Sequence, residues 1–228
     1  MIDLRVQVII CGTMSRLDYN PSYWRHLPHI QPPGATFFLT FRLHGSLPQQ
    51  AIDRLDEQHE QRLRLIRHAE EGVALKQAIY EEDKRRFGRF DALLDAAEAG
   101  PDWLKIPAVA SLVHKAFANG SGQAYDLIAY CIMPNHVHAV LTPMQTASGD
   151  YYSLSRLLHG IKGYSARRAN RLLEREGSFW QHESYDHFVR DDAELRRIVA
   201  YVVQNPVKAG LVDQWQAWDG TYLKHGDV

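Results

Sequence analysis

Read along the chain, apolar periodicity runs in the order strand, helices, strand, strand, helix, strand, helix. That order predicts an α+β sandwich with a mainly antiparallel sheet. Three observations carry the prediction. Phe37, Phe38, Leu39, Phe41 and Leu43 make a buried apolar run. A second run, Tyr125-Asp126-Leu127-Ile128-Ala129-Tyr130-Cys131-Ile132, and a third after Met133-Pro134-Asn135 have strand length. The stretches between them repeat apolar residues at helical spacing. With 228 residues, 45% hydrophobic and 23% charged, the chain can bury a sizeable core and has the composition of an ordinary globular protein.

The first 35 residues read as an irregular arm containing Tyr23, Trp24, His26, Pro28, Pro32 and Pro33. Within it, Val6-Gln7-Val8-Ile9-Ile10-Cys11 is too short for a signal-peptide core and follows Asp3, so it reads as an untargeted tail upstream of a start at Met14. A first strand covers 35–43. From Pro48 to about Gly100 the pattern is helical and densely charged in both signs, as solvated helices are, and no chemistry is assigned to it. An amphipathic helix over 107–119 is closed by Asn119-Gly120. The two strands follow, then a helix within 151–176, an extended segment over 178–189 and a last helix. The resulting plan is an arm over 1–35, a main domain over 36–212 with a helical insertion at about 48–104, and a tail over 213–228. No run approaches the roughly 18 apolar residues of a membrane span, which points to the cytoplasm. Cys11 and Cys131 lie far apart without metal spacing, and Cys131 reads as a buried thiol in its strand.

The most informative stretch is Met133-Pro134-Asn135-His136-Val137-His138. Successive side chains of a strand alternate faces, so His136, His138 and Val140 share one side while Val137, Ala139 and Leu141 share the other. The second face is purely apolar and belongs against a core. Both imidazoles are left on the opposite side, where they can hold a divalent metal together with a third ligand from elsewhere.

A partner motif lies near the C-terminus. Asp191 and Glu194 have capping-box spacing, Leu195, Ile198, Val199 and Val202 form a core stripe, and Pro206 with Gly210 stops the helix. At about 100° per residue, Tyr201 and Asn205 fall together on the flank of that stripe. A phenol and an amide carbonyl then sit side by side at the lip of a groove.

These phrases resemble the REP-associated tyrosine transposases, single-tyrosine members of the HUH endonuclease superfamily. The resemblance rests on Met-Pro-Asn-His-Val-His after a strand, on Phe179-Trp180-Gln181, Tyr185-Asp186-His187 and Val189-Arg190-Asp191, and on Tyr201-x-x-x-Asn205-Pro206-Val207-Lys208-Ala209-Gly210. It spans roughly residues 19–212. It implies a ferredoxin-like, RRM-like sandwich, a divalent ion (Mg²⁺ or Mn²⁺) on His136, His138 and Asn205, and Tyr201 as nucleophile. Related insertion-sequence transposases usually carry Gln where Asn205 stands; Asn is shorter but keeps the carbonyl oxygen. The implied reaction is cleavage and joining of single-stranded or hairpin DNA, such as REP-like palindromes, through a 5′-phosphotyrosine. The resemblance further implies a nucleoid-associated monomer or homodimer with no membrane partner.

A net charge of −1 does not announce a nucleic-acid protein, but its distribution says more. The helix within 151–176 concentrates Lys162, Arg167, Arg168 and Arg171, which either neutralise phosphates or make a solvated face. Tyr164 on this helix is a rival nucleophile, ranked below Tyr201 because Arg168 rather than an amide or carboxylate stands four residues on. The N-terminal arm either lies along DNA or packs on the domain. Two other functions stay open: a metal hydrolase with a water nucleophile, for which no acid stands in Ala139–Pro143's neighbourhood, and a domesticated DNA-binding protein without turnover.

Overall fold

The computed structural model describes residues 32–97 and 100–224, together with the backbone of 22–24 and 28–30. Those two short segments, β1 (Ser22–Trp24) and β2 (Pro28–Ile30), pair antiparallel. Residues 1–21, 25–27 and 31 of the expected arm, including Cys11, Met14 and His26, lie outside the described residues.

The domain is built on a five-stranded sheet in which every pairing is antiparallel. Its strands are β3 (Phe37–Arg42), β4 (Tyr125–Ile132), β5 (His136–Pro143), β6 (Tyr185–Phe188) and β7 (Thr221–Leu223), in the order β6-β3-β5-β4-β7. Helix α3 (Pro107–Gly120) connects β3 to β4, and α4 (Leu154–Leu172) connects β5 to β6. The first four sheet strands thus form the β-α-β-β-α-β unit of a ferredoxin-like sandwich. α3 and α4 pack on one face over Phe37, Leu39, Phe41, Val137, Ala139 and Leu141. The purely apolar side of β5 is therefore the side turned to this core. At its end, α3 is drawn tight to β4: the Tyr125 hydroxyl donates to the Phe117 carbonyl at 2.7 Å, and a Cβ on Gly120 would come within 2.5 Å of the Tyr125 ring.

The other face is covered by α5 (Asp192–Lys208), whose Val199 and Val202 meet Phe38, Ala129, Cys131 and Val140. Asp191 caps its start, accepting from the Glu194 amide at 2.7 Å. The helix does not stop at Pro206. It runs through that residue to Lys208, because a proline in the last turn forfeits only one backbone bond, and Gly210 (φ +69°) then turns the chain away.

The charged insertion folds as an antiparallel helical pair, α1 (Gln49–Ala69) and α2 (Gly72–Asp95), tied by His59–Glu82 at 3.4 Å and Arg86 against Asp56, with Arg89 pairing Glu82 at 2.7 Å along α2. α2 is pinned to α5 at both ends. Tyr80 donates to Glu194 at 2.5 Å, and Lys208 reaches Asp91 at 2.9 Å and Asp95 at 3.1 Å. Early residues meet early and late meet late, so the two helices run in the same direction. Residues 213–223, expected as a tail, instead form a short 3-10 turn and the edge strand β7 beside β4. Among the described residues, no helix is long and apolar enough to cross a membrane.

Candidate active site

His136 and His138 are fully buried beneath α2 and α5, with their Nε2 atoms 3.0 Å apart. Two neighbours fix His136. Asn135 Nδ2 donates to the Leu94 carbonyl at 3.0 Å, which can only accept, so the Asn135 Oδ1 faces His136 Nδ1 at 2.6 Å. That oxygen also only accepts. The proton of His136 therefore sits on Nδ1 and the lone pair on Nε2. Burial first, and then His138, hold its pKa well below the ordinary range, which keeps the ring neutral as a metal ligand must be. His138 faces Thr40 on the paired strand, whose hydroxyl lies 2.8 Å from Nδ1 and serves either tautomer.

A carboxylate completes the cluster. Asp91 of α2 is 1% exposed, with Oδ1 3.1 Å from His138 Nε2 and 4.0 Å from His136 Nε2. Burial pushes Asp91 up, but hydrogen bonds and charge from His138 and Tyr201 outweigh it, holding the carboxyl well below the usual range. Asp91 Oδ2 accepts from both the Tyr201 hydroxyl and Lys208 Nζ. Tyr201 itself is raised well above its ordinary value, by burial and then by Asp91. One helical turn on, Asn205 is fully buried with its amide turned to the Tyr201 hydroxyl, yet neither its oxygen nor its nitrogen completes a hydrogen bond.

The helical segment that reads from sequence as chemically silent thus supplies an acid to the centre. Its signal is visible in hindsight: Asp91 interrupts the apolar positions Phe87 and Leu94 of α2, where an unpaired carboxylate has no business in a core. Lys208 is seven residues after Tyr201, on the same helical face, and reaches the site only because α5 continues through Pro206.

The donors fit a divalent ion. Nitrogens 3.0 Å apart match neighbouring ligands on one ion with bonds of about 2.1 Å. Asp91, His136 and His138 bring one ligand atom each within 4.8 Å of one another. The orphaned Asn205 Oδ1 adds a buried oxygen without a completed hydrogen bond. Imidazole nitrogens beside a carboxylate oxygen are donors that a divalent metal ion takes.

Phe38, Phe87 and Tyr185 surround His138 and Tyr201 with aromatic walls. Beside them, where β6 stops pairing and β3 continues, a groove of about 990 Å³ opens between α2 and α4. It reaches Thr40, and Arg86, Phe90, His159, Lys162 and Arg167 line it. The four basic residues of α4 are not equivalent. Lys162 Nζ donates to the Gln181 and His182 carbonyls and to Ser184 Oγ, tethering the segment before β6. Arg168 stacks on Tyr164 at 3.8 Å, while Arg167 and Arg171 are exposed. Tyr164 packs against the α3–α4 core, across the sheet from the histidines.

Residues 110–205 match the family model described as Transposase IS200 like. This segment holds both strands of the histidine hairpin and ends on Asn205. The chain is similar to the IS200-like transposases as a class. More narrowly, it resembles the REP-associated tyrosine transposases: a Haemophilus influenzae protein so named is 30% identical over 113 residues, which cover 46% of this chain and 61% of that protein. The chain thus spans about three fifths of the length of that curated relative. A solved REP-associated tyrosine transposase bound to a REP hairpin aligns with 88% of this chain and 81% of its own, at 18% identity and a TM-score of 0.47.

Proposed function

We propose that this chain is a metal-dependent endonuclease and strand transferase acting on single-stranded, hairpin-forming DNA, with Tyr201 as nucleophile and His136, His138 and Asn205 holding the ion. The observation that carries the reading is the convergence of a buried phenol on two buried imidazoles through one carboxylate. A structural core does not need such a cluster, because each buried polar group costs free energy unless paired.

In the reaction, Tyr201 Oη attacks phosphorus, the P–O3′ bond breaks, and the leaving oxygen takes up a proton as a 3′-hydroxyl. The new bond is a 5′-phosphotyrosyl ester, and attack by a 3′-hydroxyl reverses it. At pH 7 an ordinary tyrosine is ionised to about one part in a thousand, equivalent to roughly 4 kcal/mol, and burial beside Asp91 makes this tyrosine harder still to ionise. A bound divalent ion supplies the missing positive charge, easing that ionisation and polarising the phosphate. The protein's own groups do the rest. Asn135 and Thr40 orient the imidazoles, Lys208 and Asp91 fix the phenol, and the aromatic walls limit water around it. Arg167, Arg168 and Arg171 are proposed to meet DNA phosphates, and the groove beside Thr40 offers the strand a route to the site.

The test is covalent trapping. Incubation with labelled hairpin oligonucleotides bearing single-stranded flanks and Mn²⁺ should give a denaturation-resistant adduct that Tyr201→Phe abolishes without loss of DNA binding. Metal-dependent cleavage that leaves no adduct would favour a water nucleophile. Binding with neither cleavage nor adduct would favour a DNA-binding protein without turnover.

A further inference from the structure

We infer that Asp91, delivered by the inserted α1–α2 pair, is the positioning residue for Tyr201, joining the nucleophile to the histidine centre through its two carboxylate oxygens. The inference rests on the function proposed above and adds a residue from outside the segment that matches the family model, which begins at 110.

The geometry assigns each oxygen a task. Oδ2 accepts the Tyr201 hydroxyl hydrogen and is held in turn by Lys208 Nζ at 2.9 Å. Oδ1 lies 3.1 Å from His138 Nε2. A phenol hydroxyl free to rotate about its C–O bond would sample several directions; one buried ionic acceptor selects one of them, and charge-assisted bonds are the strong ones. Asp91 is itself fixed by its carrier. Asn135 holds the Leu94 carbonyl, Lys208 also binds Asp95 at 3.1 Å, and Tyr80 anchors the far end of α2 on Glu194 at 2.5 Å. The charged insertion is therefore the scaffold of a catalytic contact, and its own ion pairs keep that scaffold in shape.

A positioning role predicts a specific pattern. Asp91→Asn keeps the size of the side chain and one carbonyl oxygen, but no longer offers two accepting oxygens to Tyr201, Lys208 and His138. Its single-turnover rate of adduct formation at saturating oligonucleotide should fall at least roughly tenfold, since misplaced reactants lose rate steeply, while the Kd for DNA stays the same. Lys208→Met, which leaves the buried residues intact because Lys208 is half exposed, should lower the same rate by a smaller factor, and Lys208→Arg should restore much of it. Mn²⁺ binding followed by calorimetry should weaken far less in Lys208→Met than in His136→Ala. A second readout needs no activity: the stability losses of Asp91→Asn and Tyr201→Phe should be non-additive in the double variant, as for residues in direct contact.

Wild-type protein that forms no adduct sinks the proposed function itself. Wild-type protein that forms adduct, with rates unchanged in both Asp91→Asn and Lys208→Met, overturns the positioning role alone. So does strict additivity of the stability losses, or rate losses that vanish on raising Mn²⁺ to saturation, since Asp91 would then act only as a ligand.

Discussion

Asn135 accepts the Nδ1 proton of His136 while donating to the Leu94 carbonyl, and this pair of bonds leaves the Nε2 lone pair of His136 pointing into the cluster. The residue before the histidine pair is thus as much a part of the site as the pair itself. Outer partners of this kind typically change metal affinity by 10–100-fold. Asn135→Ala is expected to weaken Mn²⁺ binding by roughly that factor in calorimetry while leaving the sheet intact. Equal affinity in the variant and the wild type would show that the tautomer of His136 is set by something else.

The basic residues of α4 should separate into two groups. Arg167, Arg168 and Arg171 are expected to act through phosphates, so each replacement by Gln should lower the salt dependence of DNA binding by about one in the logarithmic slope. Lys162→Met should instead lower stability, because three acceptors around 181–184 lose their donor. Salt-titrated binding curves and denaturant unfolding of the same four variants check both halves. A Lys162 variant of full stability, or three arginine variants with an unchanged slope, would contradict this division.

Glu194 ties α5 to α2, and its stabilisation is pH-dependent. Burial pushes its carboxyl up, but hydrogen bonds from Arg190 and Tyr80 bring it down to about 2 from an ordinary 4.5. The folded value lies below the unfolded one, so the contribution is present above the unfolded value and fades as pH falls towards the folded one. Glu194→Gln should therefore unfold at lower denaturant than wild type at pH 7, with the gap narrowing between about pH 5 and pH 2. A gap independent of pH would mean that the carboxylate charge is not what holds the helices.

Much of this architecture was legible in the residues. The alternation of His136 and His138 against Val137, Ala139 and Leu141 states which face of β5 meets the core, and the strand obeys it. The cap at Asp191 and the i, i+4 pairing of Tyr201 with Asn205 likewise follow from local rules. Asp91 was not legible in the same way. It comes from a helix some forty residues upstream of the histidines, in a segment whose dense charge of both signs masks one buried acid among many exposed ones. Local periodicity also misplaced the end of α5. Proline is a strong breaker in a helix interior, but in the last turn tertiary contacts of Lys208 with Asp91 and Asp95 favour continuation. The strand β7 is three residues long, too short for any periodic signal, and is specified by its pairing with β4.

The central claim is that Tyr201 is the attacking residue, and the direct measurement is peptide mapping of wild-type protein trapped on a labelled single-stranded hairpin oligonucleotide with Mn²⁺. Tyr201 touches Asp91 beneath the histidines, whereas Tyr164 lies across the sheet in the α3–α4 core. The DNA-linked peptide should contain Tyr201, and Tyr164→Phe should retain adduct formation. A DNA-linked peptide containing Tyr164, or any residue other than Tyr201, would contradict the assignment.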